Sequence, residues 1–329
     1  MVWSMMKSRK IARLAALLLV LSLPAQVLAG NTTSDESSNS AAVVVSSMVT
    51  NVIVARNSAG AGASDSGKAL SSLPGGTGLS AGDNPMGLGV WAMGGGMYLN
   101  HAKFGANYRG GLRLATVGVD KQFGSLLLGV GFGNENLDLT THYNNGSIVY
   151  DGFSVIPYLS YAITQDLVAD ASLIYAWLSY TVRDQVNVLQ DRDYTDAYRR
   201  VVSAGLTKYL TFNKLLLSGR LGTMYMNEHQ DLYHLNGNRY GDSGVYNWQG
   251  MANLRGTYDL GAFKPFVGAT FSTDLVKSGK SSIDTWGSDF DLGFSYNLTD
   301  SFQFGLTGTY GLREYMTKAG GMLNVRYDF

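Results

Sequence analysis

Residues 286–298, with the sequence WGSDFDLGFSYNL, show the clearest repeating pattern in this chain. Trp, Phe, Leu and Tyr dominate the even positions, and the odd positions carry only Gly, Asp, Ser and Asn. A period of two places the apolar side chains on one face of a β-strand and the polar ones on the other. Thirteen residues in one such run exceed a typical soluble strand but suit a tilted strand that crosses a bilayer. The stretch therefore predicts a membrane-spanning strand.

The same alternation recurs along the chain from residue 87 to its end. It is clear in residues 248–260 and 302–312. Turn signals divide this part into about twelve strands, near residues 87–99, 111–123, 125–139, 148–163, 166–182, 196–210, 213–230, 244–260, 263–275, 286–298, 301–314 and 319–329. Tight turns alternate with longer polar loops such as 184–195 and 231–243, as periplasmic turns alternate with exterior loops in outer-membrane barrels. The sequence predicts an all-β fold, a transmembrane antiparallel β-barrel over residues 87–329.

Two of the predicted strands depart from the simple pattern. The apolar face of Leu112–Phe123 changes side midway, which a β-bulge would explain. Pro157 stands inside a predicted strand, where it has no N–H group to donate to a neighbour.

The N-terminal residues predict export. Basic residues from Lys7 to Arg13 precede an apolar run, Leu14–Leu23, that is too short to span a bilayer as a helix. Small residues before Gly30 fit a signal-peptidase site after Ala29. We therefore expect residues 1–29 to be a cleaved signal peptide.

Residues 30–86 form a second region, rich in Ser, Ala, Gly and Asn. Within it, residues 41–56 carry apolar side chains at helical spacing and predict a helix. Residues 60–83 are rich in Gly and Ser and predict a flexible linker. The C-terminal end differs, because it alternates strictly and stops on an aromatic residue. Its outward residues Val325, Tyr327 and Phe329 are predicted to mark the barrel for assembly.

Composition narrows the class of protein. The chain has no Cys, so no disulfide holds it together after export. Its formal net charge is zero, which argues against a nucleic-acid partner. The hydrophobic fraction of 45% is ordinary, as expected when lipid-facing and lumen-facing residues alternate.

Charged residues on the polar register of the strands are candidates for the lining of the lumen. They could pair with one another and fill the pore interior, or they could form a selectivity lining or a surface that grips a helix. The candidates are Arg220, Arg255, Asp289, Asp291, Arg313 and Arg326.

No cofactor or metal site is expected, since Cys is absent and no two His residues have ligand spacing. His229 and His234 flank Asp231, which makes a hydrolase at the barrel rim conceivable. No Ser stands in a nucleophile-elbow context, however, and we assign no catalytic residue.

The chain resembles the autotransporter β-domain family over roughly residues 85–329. The features that carry the likeness are a helix candidate before the first strand, the segments Gly89–Ala92, Gly118–Asp120 and Leu127–Phe132, and a closing strand that ends at Phe329. The resemblance implies a twelve-stranded barrel with a helix in the pore, which helps to export an N-terminal passenger. Only about fifty residues separate Gly30 from the first strand, so no sizeable folded passenger fits there.

These observations together predict an outer-membrane translocator that displays a short N-terminal segment. The expected partners are outer-membrane lipid and lipopolysaccharide, the barrel-assembly machinery and periplasmic chaperones, and the barrel is expected to be a monomer. Two alternatives stay open beside the rim hydrolase: a passive pore, and a surface protein whose exterior loops bind a ligand.

Overall fold

The computed structural model describes residues 87–102, 107–142, 145–186, 189–235, 238–240, 243–278 and 285–329. The predicted signal peptide, helix and linker lie outside the described residues. The described part contains fourteen strands: β1 Leu88–His101, β2 Tyr108–Phe123, β3 Leu126–Thr141, β4 Gly146–Thr164, β5 Leu167–Val186, β6 Leu189–Phe212, β7 Leu215–Gln230, β8 Tyr233–Leu235, β9 Asn238–Tyr240, β10 Ser243–Tyr258, β11 Phe263–Lys277, β12 Trp286–Asn297, β13 Phe302–Arg313 and β14 Met316–Asp328.

Twelve of these strands form one closed antiparallel barrel, and β8 and β9 pair as a separate hairpin. Each barrel strand pairs with its neighbours along the chain, and β14 closes the ring against β1. The predicted all-β barrel of about twelve strands is therefore confirmed. Within the described residues, no helix is long and apolar enough to cross a membrane.

One end of the barrel carries the tight turns. Gly124 (φ 59°), Asn213 (φ 53°) and Gly261 (φ 85°) stand in these turns with left-handed backbone conformations, which Gly and Asn adopt most readily. Both termini of the barrel lie at the same end, where the Phe329 N–H donates to the Leu88 carbonyl at 3.0 Å. The longer connections, including the β8–β9 hairpin, lie at the opposite end.

The outward face of the barrel is apolar around its middle. Leu221 is 71% exposed and Leu292 is 68% exposed. Large aliphatic residues on a soluble surface would cost free energy, whereas lipid solvates them well. The outward face therefore suits the interior of a bilayer.

The prediction of a loop over residues 184–195 is wrong for most of that range. β5 extends to Val186 and β6 begins again at Leu189, so the polar residues continue the two strands. Backbone hydrogen bonds hold such a hairpin together irrespective of side-chain polarity, and the sequence pattern reports polarity alone. The predicted loop over residues 231–243 likewise contains β8 and β9.

The proposed bulge in the second strand is also absent, since β2 pairs with both neighbours in unbroken register. Its apolar residues change side because Leu112 and Leu114 face inward towards the end with the longer connections, whereas Val117 faces outward nearer the turns. Pro157 does lie inside β4, and the pairing of β4 with β5 skips residues 156 and 157. Because Pro has no N–H group, the ladder loses a donor there.

Candidate functional site: the barrel lumen

The inner wall of the barrel has two chemically different sides. On β1–β7 many inward side chains are large, apolar and buried, and they belong to one contiguous cluster. Members from β1 to β5 include Met97, Leu99, Leu112, Leu137, Leu139, Ile148, Ile174 and Leu178. The simple barrel pattern predicts a polar lumen. The lumen of this barrel is not uniformly polar.

Small and polar residues line the opposite side, on β12 and β13. Their inward positions, fixed by the register, are Gly287, Asp289, Asp291, Gly293, Ser295 and Asn297 on β12, and Gln303, Gly305, Thr307, Thr309, Gly311 and Arg313 on β13. Neither list contains an aliphatic side chain. The lumen thus carries a large apolar cluster on the side of β1–β7, where charged residues such as Glu135 and Arg199 are also buried, and only small, polar or charged residues on β12 and β13.

Four of the six predicted lining residues form ion pairs that cross an intervening strand, and three of these pairs are at hydrogen-bond distance. Arg326 Nη2 lies 3.1 Å from Asp120 Oδ1, across β1. Arg220 Nη2 lies 2.7 Å from Asp170 Oδ2, across β6. Lys318 Nζ lies 2.9 Å from Asp289 Oδ1, across β13. Each pair joins strands that have no backbone hydrogen bonds to one another, so each adds a link around the wall.

Arg255 and Asp291 also face the interior, and Arg313 forms the fourth and longest of these ion pairs, across β12. The Arg255 guanidinium lies over the Phe266 ring, 3.4 Å from its centroid. Asp291 accepts a hydrogen bond of 2.6 Å from the Thr309 hydroxyl. Arg313 lies 3.7 Å from an Asp274 carboxylate oxygen.

The largest charged cluster was not predicted from the sequence. Arg199 on β6 donates through Nε to Glu228 on β7 at 2.8 Å, and through Nη1 to Glu135 on β3 at 3.0 Å. The Tyr180 hydroxyl donates to Glu228 at 2.8 Å, and the Tyr150 hydroxyl donates to Glu135 at 3.3 Å. All five residues are buried. Each lies on a different strand, so this ionic cluster connects five neighbouring strands, β3 to β7.

A second polar network lies close to the turn end. Trp91 Nε1 donates to the Tyr158 hydroxyl at 2.9 Å, and that hydroxyl donates to Asp120 at 2.7 Å. The Trp91 ring covers Gly118, where an added Cβ would lie 2.3 Å from a ring carbon. Together with the Arg326 pair, this network links β14, β1, β2 and β4 around the closing seam.

The residues predicted as an assembly mark lie on this closing strand. Tyr327 and Phe329 are half-exposed outside the wall, with their rings 4.8 Å apart. Val325 pairs with Ala92 of β1. The predicted cleavage site at Ala29 and Gly30 lies outside the described residues.

The two His residues considered for a rim hydrolase, His229 and His234, contact different groups. The His229 ring packs on Tyr198, 5.1 Å between centroids. The backbone N–H of His234 donates to Asp193, and the backbone N–H of Asp231 donates to the Asp196 carbonyl. In the part of the chain that the structure describes, no group of three or more His, Asp or Glu residues could hold a metal ion.

A model of the autotransporter β-domain family matches residues 90–309. No curated protein matches the sequence. Among solved structures, the translocator domain of the autotransporter NalP from Neisseria meningitidis is similar, with a TM-score of 0.66 at 15% identity over 74% of this chain and 89% of that one.

Two further translocator structures are similar. The β-domain of the Bordetella autotransporter BrkA gives a TM-score of 0.65 at 14% identity, over 74% of this chain and 100% of that one. The transport unit of the autotransporter AIDA-I from Escherichia coli gives 0.58 at 16% identity, over 74% and 90% of the two chains. At these identities the similarity shows the fold.

Proposed function

This chain belongs to the autotransporter β-domain family, and from that premise we propose that it carries its own short N-terminal segment through the barrel to the cell surface. The resemblance predicted from the sequence is confirmed by the family match. β-Barrels of this family reside in the outer membrane of Gram-negative bacteria, which agrees with the apolar outward face. The proposed role is transport and display, with no catalytic step.

The position of Gly87 carries the proposal. Its carbonyl accepts a hydrogen bond of 2.9 Å from Gln122, two residues before the Gly124 turn, so the chain enters β1 at the turn end of the barrel. Short turns face the periplasm in barrels of this kind, and longer loops face the exterior. A segment that precedes Gly87 and reaches the exterior must therefore run back through the lumen, because the lipid side is closed to a polar backbone.

The two-sided lumen supports the same proposal. Residues 41–56 combine an apolar stripe with Ser, Thr and Asn, the pattern of an amphipathic segment. The apolar cluster on β1–β5 offers its stripe a packing surface, and the small and polar residues of β12 and β13 offer hydrogen-bond partners to its polar side.

A passive pore is the second candidate function. The inward residues of β12 and β13 are small or polar, such as Ser295 and Thr307, a lining that suits water or a small solute. This function requires that residues 30–86 stay outside the lumen.

Maturation and assembly complete the proposal. A signal peptidase removes residues 1–29 between Ala29 and Gly30. Periplasmic chaperones then deliver the chain, and the assembly machinery recognises the closing strand through Val325, Tyr327 and Phe329. The finished barrel acts as a monomer in outer-membrane lipid.

Surface protease accessibility tests the proposal on intact cells. One epitope tag follows Gly30, a second stands in the exterior connection between Ser278 and Thr285, and a third stands at the Asn213 turn. We expect protease to remove the first and second tags and to spare the third. Protection of the first tag, while the second is cleaved, would refute translocation.

Planar-bilayer conductance separates the two candidate functions. The full chain and a chain that lacks residues 30–86 are compared in the same lipid. A segment that occupies the lumen predicts low conductance for the full chain and a clear rise after its removal. High conductance of both chains would favour the passive pore.

A further inference from the structure

Aromatic rings cover the outward face of β4–β7 towards the exterior end. The centroids of Phe153 and Trp177 are 6.1 Å apart, and those of Trp177 and Tyr175 are 4.6 Å apart. Tyr175 and Tyr198 lie parallel, 6.5 Å apart, and His229 follows at 5.1 Å from Tyr198. Four adjacent strands span about 15 Å, so the rings form a continuous strip around that part of the wall.

A single cation, Arg200, stands in this aromatic strip. Its guanidinium carbon lies 4.9 Å from the centroid of the Tyr198 ring and 5.7 Å from that of Tyr175. These two rings hold the charge by cation–π attraction and limit where it can point. The side chain is exposed on the outside of the barrel, opposite in direction to the buried Arg199.

Arg200 has no carboxylate partner among the residues that the structure describes. The acidic residue on the same outward face of β6, Asp196, accepts a hydrogen bond of 2.9 Å from the Ser179 hydroxyl. The guanidinium group offers five N–H donors in a planar fork, which fits the paired oxygens of a phosphate or carboxylate. Its contacts in the described structure are with aromatic faces, and these leave that fork open.

The height of Arg200 on the barrel places it at the membrane border. The outward positions from Arg200 to the turn end of β6 are Val202, Ala204, Leu206, Lys208, Leu210 and Phe212. Lys208 forms an exposed ion pair with Asp166 and marks the turn-end border of the apolar band. The eight residues from Lys208 to Arg200, in a strand tilted by about 40°, rise roughly 20 Å, close to the roughly 25 Å height of the apolar band of such barrels. Arg200 therefore lies where the headgroups of the exterior leaflet begin.

We propose that Arg200 and the aromatic strip of Phe153, Tyr175, Trp177 and Tyr198 form a binding site for the phosphorylated sugar headgroup of lipid A in the exterior leaflet. The fork of Arg200 receives the phosphate, a charge-assisted and bidentate interaction. The rings pack against the C–H faces of the sugar and the first methylene groups of the acyl chains. This site serves to anchor the barrel and does not depend on what passes through the lumen.

The aromatic strip favours a sugar-based lipid over a glycerophospholipid. A glycerol phosphate offers one small anionic group, for which Arg200 alone would suffice. A phosphorylated disaccharide adds a broad apolar sugar surface, and half-exposed rings such as Trp177 and Phe153 match that surface.

Lipid retention in nanodiscs tests this site. The full chain is reconstituted with bisphosphorylated lipid A at a low fraction in neutral phospholipid, and bound lipid A is quantified by native mass spectrometry. Arg200→Gln is expected to weaken binding on the order of tenfold, because a charge-assisted hydrogen-bond pair is lost. Tyr198→Leu is expected to weaken it less, since the guanidinium fork remains.

Arg183→Gln is the matched control, because Arg183 is also an exposed outward arginine but lies further out on β5. It is expected to bind lipid A like the unsubstituted chain. Dephosphorylated lipid A should not distinguish Arg200→Gln from the unsubstituted chain. Heat-modifiable mobility on gels confirms that each variant forms the barrel before binding is compared.

Three results would overturn the proposal. Arg200→Gln could bind lipid A as tightly as the unsubstituted chain, or Arg183→Gln could weaken binding by the same factor. Phosphatidylglycerol could also bind as tightly as lipid A with the same dependence on Arg200, which would assign the site to glycerophospholipid.

Discussion

Arg326 of the last strand and Asp120 of the second strand form a buried ion pair, 3.1 Å between Nη2 and Oδ1, across the first strand. The pair spans the seam at which β14 closes on β1. Arg326 also contacts Asp328 at 2.6 Å, and Asp120 accepts a hydrogen bond of 2.7 Å from Tyr158. The closing strand is therefore fixed by side chains as well as by its backbone ladder.

Breaking the seam pair is expected to weaken the barrel. Arg326→Gln leaves the Asp120 carboxylate buried without its counter-charge and should lower the free energy of unfolding by about 3 kcal/mol. Urea unfolding of the chain in lipid vesicles measures the change. The control is Lys208→Gln, which removes the exposed pair with Asp166 at the turn end and should cost less than about 1 kcal/mol. An equal loss in both variants would contradict this account of the seam.

Removing the cation of the Arg199 cluster is expected to lower the free energy of unfolding more than breaking the seam pair does. Arg199→Met removes the only cation that contacts both Glu135 and Glu228 among the described residues. The two carboxylates then repel each other in a buried site, and the free energy of unfolding should fall by about 3 to 5 kcal/mol.

Removing the charges of that cluster together gives the control. The triple variant Glu135→Gln, Arg199→Met and Glu228→Gln should recover most of the lost stability, because no unpaired buried charge remains. If the triple variant were as unstable as Arg199→Met alone, packing and not charge would explain the loss.

A side chain added at Gly118 is expected to overlap the Trp91 ring and destabilise the barrel, and Gly111 in the same strand provides the control. Gly118→Ala places a Cβ 2.3 Å from a carbon of the Trp91 ring, so the ring must move and its hydrogen bond to Tyr158 is strained. The expected cost is about 1 to 3 kcal/mol, seen as a lower midpoint of heat-modifiable gel mobility. Gly111→Ala, with nothing within 4 Å of the added Cβ, should leave the midpoint unchanged.

The C-terminal ring predicts a defect in assembly that is separable from stability. Phe329 is half-exposed, so Phe329→Ala should change the unfolding free energy by less than about 1 kcal/mol. If assembly factors recognise this ring, the amount of folded barrel in the outer membrane should fall several-fold. Phe212→Ala removes another exposed ring at the same end and serves as the control. Equal amounts of both variants in the membrane would argue against an assembly role for Phe329.

The strands were predictable from the sequence because alternation is a local property. The predicted strand at 286–298 ends within one residue of β12, and the closing strand was located from its last residues. A lipid-facing apolar side and a polar inward side repeat every two residues, and this signal needs no knowledge of neighbouring strands. It failed at residues 184–195, where polar residues continue β5 and β6 beyond the apolar band.

The site was predictable only in part, as Arg199 and Arg200 show. The two are identical neighbours in the sequence, yet one lies in a buried ion cluster and the other is exposed on the outside. Tyr198 and Val201 flank them, so local polarity does not say which arginine faces inward. The partners Glu135 and Glu228 come from strands far away along the chain, and no local pattern relates them to β6.

An antiparallel barrel of about twelve strands with an apolar outer face was predictable from the amino-acid order, because alternation and turn chemistry act over a few residues. The register around the ring follows only from the closed barrel. That register gathers the apolar cluster on β1–β7, joins Arg199 to Glu135 and Glu228, and pairs Arg326 with Asp120. Closing the ring brings together strands that are distant along the chain, such as β1 and β14. Side chains of these strands then meet along the inner wall and form such pairs.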